Sequence, residues 1–160
     1  MNVSAQEWVD LHQLVTRYSK GLDSRDYDLV RSVWAPDPHI SYDLSTVGVE
    51  KDLLTYHSAE DMVRDAQHIH APLAVTMHQN HNYYFEVDGD RATGRVYVDL
   101  FEVRVDDGTS QTVHHLGWYD DEYVRVGGEW KIKQRHFTIR WSEGDWIGDR
   151  PSAETSPARA

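Results

Sequence analysis

The spacing of apolar positions divides the chain into a helical part and a strand-like part, which meet near Pro72. In residues 4–22, apolar side chains recur at steps of three and four, which predicts an amphipathic helix. A second helix is predicted from residue 24 until the prolines at positions 36 and 38 stop it. A third is predicted over residues 58–69, with Ser58 as its N-terminal cap.

After Pro72 the apolar residues alternate with a period of two, as they do in strands. Four long strands are predicted, over residues 75–87, 91–105, 111–126 and 129–141. The turns between them contain Gly89, Gly108 and the pair Gly127-Gly128, which favours an antiparallel meander. A short strand is predicted at residues 39–42, whereas residues 43–56 show no period and are predicted to be irregular.

Helices followed by a long curved sheet are typical of an α+β fold. A strongly bent, mainly antiparallel sheet packed on three helices would form a cone-shaped barrel around a deep pocket, which suits a small apolar ligand. We predict one domain over residues 1–146. Residues 147–160 are predicted to be a tail. Because residues 142–160 are rich in Gly, Pro, Ser and Asp, the last part of the tail, residues 151–160, is predicted to be disordered.

Composition limits the function classes. The chain has 160 residues, 39% of them hydrophobic, and a net charge of −11, which argues against binding to nucleic acid or to an anionic membrane. It has no cysteine, which excludes a thiolate nucleophile and cysteine metal sites. The N-terminus does not resemble a signal peptide, and no apolar run approaches the roughly 20 residues of a membrane span. We expect a cytoplasmic protein.

Two polar residues of the first helix attract attention. Tyr18 lies within the apolar stripe, so its hydroxyl points toward the core and needs a hydrogen-bond partner. Asp23 follows at the end of the stripe, in a segment that must turn. We interpret both as facing a pocket. The alternative from these residues alone is a core tyrosine and a carboxylate that caps the next helix.

Alternation along the strands sorts the other polar residues into two faces. On the first long strand one face carries His78, Asn80, Asn82 and Tyr84, and the other carries His81, Tyr83, Phe85 and Val87. On the second strand, one face carries Val98, Leu100 and Glu102. On the third strand, one face carries His115, Tyr119 and Asp121. The acidic run at residues 120–122 is predicted to be a solvated strand edge.

The ten histidines do not predict a metal site. His78 and His81 are three apart on a strand and face opposite sides, and the neighbours His114 and His115 also diverge. His68 and His70 are predicted to be solvated near a helix end. A composite site built from different strands remains the minority alternative.

The chain also lacks a serine nucleophile elbow and a phosphate-binding glycine loop. Tyrosine, carboxylate and histidine side chains therefore remain for chemistry, and these are proton-transfer groups. A histidine beside a carboxylate suits general acid–base catalysis, and a buried tyrosine can stabilise an enolate.

Several segments together resemble the SnoaL-like proteins, the cone-shaped superfamily of nuclear transport factor two, ketosteroid isomerase and scytalone dehydratase. The segments are Tyr18, Leu22-Asp23, Asp26-Tyr27-Asp28, Trp34-Ala35-Pro36, Ile40-Ser41-Tyr42, Thr76-Met77-His78, Gly89-Asp90-Arg91-Ala92-Thr93-Gly94, Tyr123-Val124-Arg125, Gly128-Glu129-Trp130-Lys131-Ile132 and Ile139-Arg140-Trp141. The nearest likeness within the family is to scytalone dehydratase and to bile-acid 7α-dehydratase.

The resemblance implies roles for particular residues. His78 matches the histidine base and Asp23 the acidic residue that partners it. Tyr42 matches a tyrosine that holds the substrate carbonyl through water in scytalone dehydratase, and Tyr18 matches the tyrosine of the bile-acid enzyme. Leu22 replaces a second catalytic tyrosine of scytalone dehydratase.

A second departure from scytalone dehydratase concerns Glu102. Glu102 stands where scytalone dehydratase has a second histidine, so Glu102 and Asp23 would face each other and one would have a raised pKa. His115 could take the place of the missing histidine. Asp99 is an alternative acid if a bulge turns it inward.

The resemblance further implies a cofactor-free dehydratase acting on a small cyclic hydroxy-ketone or polyketide-like substrate. We expect Trp34, Val98, Leu100 and Tyr119 to contact this substrate. A polyketide cyclase, an isomerase, an epoxide hydrolase and a non-catalytic assembly subunit remain alternatives, because fold does not decide among them. We also expect a homo-oligomer, a trimer first and a dimer next, formed through an outer sheet face that includes Tyr83, Phe85 and Tyr97.

Overall fold

A computed structural model of the chain describes residues 3–46 and 53–148. Within these residues, the helices are α1 (Ala5–Ser24), α2 (Tyr27–Ser32) and α3 (Ala59–His70). The strands are β1 (Trp34–Asp43), β2 (Leu53–Tyr56), β3 (Leu73–Asp88), β4 (Arg91–Asp106), β5 (Thr109–Val126) and β6 (Glu129–Glu143). They form one sheet in the order β2-β1-β6-β5-β4-β3, with only β1 and β6 parallel. The predicted α+β class is confirmed.

Helix α1 begins and ends with clear capping signals. The Ser4 hydroxyl accepts a hydrogen bond from the Glu7 amide, and the Glu7 carboxylate accepts one from the Ser4 amide. The helix ends at Ser24, and its C-terminal cap, Arg25, has a left-handed φ of 60°. Asp26, rather than Asp23, caps α2 by accepting from the Leu29 amide. Asp23 therefore lies in the last turn of α1, and its carboxylate is not used as a cap.

The region between the second and third predicted helices differs from the sequence prediction. Helix α2 ends at Ser32, and β1 already begins at Trp34 and continues through Pro36 and Pro38. The pairing of β1 with β6 shifts register in this stretch, so a bulge accommodates prolines that cannot donate to the ladder. Strand β2 also lies within the residues that were predicted to be irregular.

The meander of β3 to β6 is confirmed, with turns at Gly89, Gly108 and Gly127-Gly128 that all have positive φ. Strand β3 departs from simple alternation at Asn82, whose φ is 47°. His81 pairs with Tyr97 and Tyr84 pairs with Arg95, so β3 contains one extra residue there.

This bulge changes which side chains of β3 face inward. Phe85 is 1% exposed and Tyr83 is half-buried, so the prediction that both lie on the outer face is wrong. Tyr97 does lie on that face, together with exposed Phe101, Leu116 and Trp141. The trimer and the dimer remain predictions.

The end of the described chain packs against the sheet. Ile147, the first residue of the predicted tail, is buried with Leu73 and Val113. The last twelve residues, 149–160, lie outside the described residues. Within residues 3–46 and 53–148, no helix is long and apolar enough to cross a membrane.

Candidate active site

A mostly apolar cavity of about 100 Å³ lies between the helices and the inner face of the sheet. Four tyrosines reach it, namely Tyr18, Tyr42, Tyr56 and Tyr119. Four ionisable groups also line it, namely His70, His78, Glu102 and His115. Proton-transfer groups are thus set into an apolar pocket, where their charges and hydrogen bonds are weakly screened by water.

Five of the six predicted catalytic residues line this cavity: Tyr18, Tyr42, His78, Glu102 and His115. The sixth, Asp23, lies behind His78. Of the predicted substrate contacts, Leu100 and Tyr119 line the cavity, whereas Trp34 and Val98 do not.

The two outliers belong to the core that supports the cavity. The Trp34 ring packs edge-on against the Tyr18 ring, with centroids 5.6 Å apart, and so lies one layer behind the wall. Val98 is buried opposite Asn80 and Gly117, two residues before Leu100 on β4.

Asp23 holds His78 at two points. Asp23 Oδ1 is 2.6 Å from His78 Nδ1, and Asp23 Oδ2 accepts a hydrogen bond of 2.9 Å from the His78 backbone amide. The His78 side chain is 5% exposed and that of Asp23 is 26% exposed. Helix α1 thereby fixes a histidine of β3 whose ring reaches the cavity.

This contact selects one tautomer of His78. A carboxylate only accepts hydrogen bonds, so the ring must donate its Nδ1–H to Asp23. Nε2 then keeps its lone pair and is the proton acceptor of the ring. The pair has the arrangement of a general base with an orienting carboxylate.

Tyr18 and Tyr42 form a second polar pair in the cavity wall. Their hydroxyl oxygens are 3.0 Å apart, and burial raises the pKa of each phenol, so both stay protonated. One hydroxyl donates to the other, which leaves the second proton available for a ligand oxygen. The pair can therefore donate to a carbonyl or an enolate.

Glu102 lies between two histidines at the other polar part of the wall. His70 Nε2 is 4.0 Å from one carboxyl oxygen and His115 Nε2 is 4.0 Å from the other. The ring of His115 is held through Nδ1 by the Ser142 hydroxyl. His70 is buried, so the prediction that it is solvated is wrong.

Burial sets the protonation of this group. It raises the pKa of Glu102, and this effect outweighs the opposing influence of His78 and Arg25. Burial also lowers the pKa of His70 to about 3 and that of His115 to about 4. The neutral forms of His70 and His115 are therefore favoured near pH 7, and the protonated form of Glu102 is favoured more than in an exposed glutamate.

A buried ion pair beneath the cavity was not predicted from the sequence. Arg135 and Asp121 are joined by two hydrogen bonds of 2.8 and 2.6 Å, and both side chains are fully buried. The guanidinium lies 4.3 Å from the ring centroid of Tyr18 and 3.9 Å from that of Tyr119. The prediction of a solvated edge at residues 120–122 is therefore wrong for Asp121. Its alternation with Tyr119 already indicated an inward direction.

Asp99, the alternative acid, does not reach the cavity. Its carboxylate is 2.5 Å from His114 Nε2, and both side chains are partly exposed on the outer face of the sheet. The bulge that would have turned Asp99 inward is absent from β4 at this position, where pairing with β5 is regular.

Comparison with known proteins gives a family match and several relatives. The profile of the SnoaL-like domain matches residues 4–136. An uncharacterised protein of Mycobacterium tuberculosis (strain H37Rv) is 30% identical over 128 residues, which are 79% of this chain and 81% of that protein. Scytalone dehydratase arp1 of Aspergillus fumigatus is 24% identical over 157 residues, with 89% of this chain and 88% of that protein covered.

A solved structure resembles the whole described fold. The hexachlorocyclohexane dehydrochlorinase LinA-type3 from Novosphingobium barchaimii LL02 is similar with a TM-score of 0.71 and 19% identity, over 94% of this chain and 96% of that one. At this identity the likeness concerns the fold alone.

Proposed function

The chain belongs to the SnoaL-like domain family and has the nuclear transport factor two-like fold, and from this premise we propose that it is a cofactor-free dehydratase. Its substrate would be a small cyclic hydroxy-ketone or a polyketide-like compound, and its mechanism general acid–base catalysis. The observation that carries the proposal is the Asp23–His78 pair at the wall of an apolar cavity. The 24% identity with a scytalone dehydratase, a lyase by name, supports the same reaction class.

In the first step, His78 Nε2 removes a proton from the carbon next to the substrate carbonyl. Asp23 stabilises the imidazolium that forms, because its carboxylate accepts the Nδ1–H at 2.6 Å. The electron pair of the broken C–H bond passes to the carbonyl oxygen, which becomes an enolate.

In the second step, the Tyr18–Tyr42 pair donates a hydrogen bond to the enolate oxygen. A donor fixed in a buried site stabilises such an oxygen more strongly than water does, since it needs no reorganisation. The raised pKa of both phenols keeps this donor protonated throughout the reaction.

In the third step, the enolate re-forms the carbonyl and expels the hydroxyl group from the neighbouring carbon. The hydroxyl takes a proton from the Glu102 carboxyl, whose protonated form burial favours, and leaves as water. The imidazolium of His78 returns a proton to Glu102 by way of that water. The product is an unsaturated ketone, and the enzyme regains its starting protonation state.

The test is turnover of a panel of cyclic β-hydroxy-ketones, followed by the ultraviolet absorbance of the unsaturated product. The His78→Ala variant should lose about 10²–10⁴-fold in rate, as expected for removal of a general base. His81→Ala is the matched control, because His81 lies on the same strand and is exposed. Equal rates for His78→Ala and the parent protein would refute the proposal.

A double-bond isomerase would share the first step and is the second candidate. Exchange of the α-proton of a cyclic ketone for solvent deuterium, measured by NMR, detects that step without any loss of water. Exchange that depends on His78 with no dehydration of any hydroxy-ketone would assign the isomerase.

A further inference from the structure

The group formed by His70, Glu102 and His115 has unused hydrogen-bonding capacity. His70 Nδ1 and His115 Nε2 are buried without a hydrogen-bond partner among the described residues. The Glu102 carboxyl also forms no side-chain hydrogen bond within the described part of the chain. Buried polar atoms without partners are costly, so such a cluster in a cavity wall points to a ligand.

The spacing of the Nε2 atoms and the carboxyl oxygens leaves room for an oxygen atom of a ligand. His115 Nε2, which has no partner, is 4.0 Å from one Glu102 oxygen, and His70 Nε2 is 4.0 Å from the other, which is too long for a direct hydrogen bond in either pair. An oxygen atom at about 2.8 Å from both members of such a pair would complete a bent bridge. Within residues 3–46 and 53–148, no group of three or more histidine or carboxylate side chains is arranged to hold a metal ion.

A hydroxyl group fits this bridge because it donates one hydrogen bond and accepts two. The two neutral imidazoles supply donors and acceptors, and the carboxyl supplies further acceptors. A covalently bound chlorine atom of similar size cannot donate at all, and it would leave the nitrogens and the carboxyl unpaired. Sites built to bind a hydroxyl reject analogues that lack it, because their own polar groups then remain unsatisfied.

We propose that a hydroxyl-binding recess is formed by His70, Glu102 and His115. This recess selects substrates whose leaving group is a hydroxyl rather than a halogen. This inference rests on the proposed dehydratase function and narrows its substrate class. It separates the chain from the dehydrochlorinase reaction that the name of the structurally similar LinA-type3 protein implies.

The test measures binding of two unreactive probes, cyclopentanol and chlorocyclopentane, to the full-length protein by NMR titration of labelled histidine side chains. We expect cyclopentanol to bind at least about tenfold more tightly and to shift the His70 and His115 resonances. The Glu102→Gln variant keeps a donor and an acceptor and should retain the preference. Glu102→Leu should lose or reverse it.

Two controls locate the probe. His114→Gln changes the neighbour of His115 that faces the outer side of the sheet, and it should leave the preference unchanged. Tyr42→Phe tests whether the alcohol instead binds at the tyrosine pair. Thermal unfolding of each variant checks that it is folded.

Equal binding of the two probes, absence of binding, or a preference that survives Glu102→Leu would overturn the recess. These probes have no carbonyl and cannot be turned over, so their selectivity is independent of catalysis. A retained preference without turnover of any hydroxy-ketone would refute the proposed function and leave the recess in place.

Discussion

Asp23 binds both the ring and the backbone of His78, at 2.6 and 2.9 Å, so one carboxylate fixes the position and the tautomer of the histidine together. An amide in this place would reverse the ring contact, since its N–H₂ would donate to Nδ1 while its oxygen accepted from the backbone. Nε2 would then carry the proton and could no longer act as a base.

Asp23→Asn should therefore lower the rate of dehydration at least about 10²-fold while the fold is retained. The ¹⁵N shifts of His78 should report the change of tautomer directly. Asp28→Asn is the control, because Asp28 is an exposed carboxylate on α2. An unchanged tautomer in Asp23→Asn would contradict the account of the pair.

The shared hydrogen bond of Tyr18 and Tyr42 predicts coupled effects on the rate. Replacing either by Phe removes a donor from the proposed enolate site and should cost about 10²-fold. The double variant should cost less than the product of the single effects, because each single change already breaks the 3.0 Å contact. Tyr97→Phe, on the outer face of the sheet, serves as the control. A double variant whose loss of rate equals the product of the two single losses would show that the two hydroxyls act independently.

The low pKa of His70, about 3, predicts a loss of stability in acid. Between about pH 6.5 and pH 3 the unfolded chain binds a proton at this site and the folded chain does not, so the free energy of unfolding falls as pH falls. From pH 7 to pH 5 the loss from this residue should be about 2 kcal/mol. His70→Gln should reduce the pH dependence by that amount in urea unfolding. His68→Gln, an exposed change on the same helix, should not.

Glu102 contributes with the opposite sign. Its pKa is raised in the folded protein, so the folded chain binds the additional proton above pH 4.5 and stability falls as pH rises through that range. Glu102→Gln should therefore be relatively more stable than the parent protein at neutral pH than at pH 4. No difference between the two pH values would argue that Glu102 ionises normally.

The Arg135–Asp121 pair predicts a large mutational asymmetry. Arg135→Met leaves an unpaired buried carboxylate and should cost about 3–5 kcal/mol in the free energy of unfolding. Arg135→Met combined with Asp121→Leu should cost less, since neither charge remains. The neighbouring Arg95–Asp120 pair is exposed, so Arg95→Met should cost no more than about 1 kcal/mol. Denaturant unfolding of the four proteins gives the comparison.

The sequence predicts the meander because its turns are local signals. Gly89, Gly108 and Gly127 each occupy a positive φ that few other residues adopt, and the alternation between them sets the inward face of β4 and β5. The direction of Glu102 and His115 follows from that alternation. The pairing of Asp23 with His78 came from family likeness, because 55 residues separate the two in the chain.

Other features depend on tertiary contacts that no local pattern reports. The prolines at positions 36 and 38 are read as the end of a helix, yet parallel pairing with β6 extends β1 through them. The burial of His70 depends on where α3 meets the sheet. The charge of Arg135 is neutralised in the core by Asp121, which lies 14 residues earlier in the chain.

The extra residue at Asn82 has a consequence for how this fold can diversify. An additional residue in a regular strand would turn every later side chain to the opposite face, and Phe85 would be carried out of the core. The left-handed conformation of Asn82 absorbs that residue, so the length of the strand is uncoupled from the side chains that point inward. The strand can therefore gain or lose one residue at this position while the same side chains point inward on either side of it.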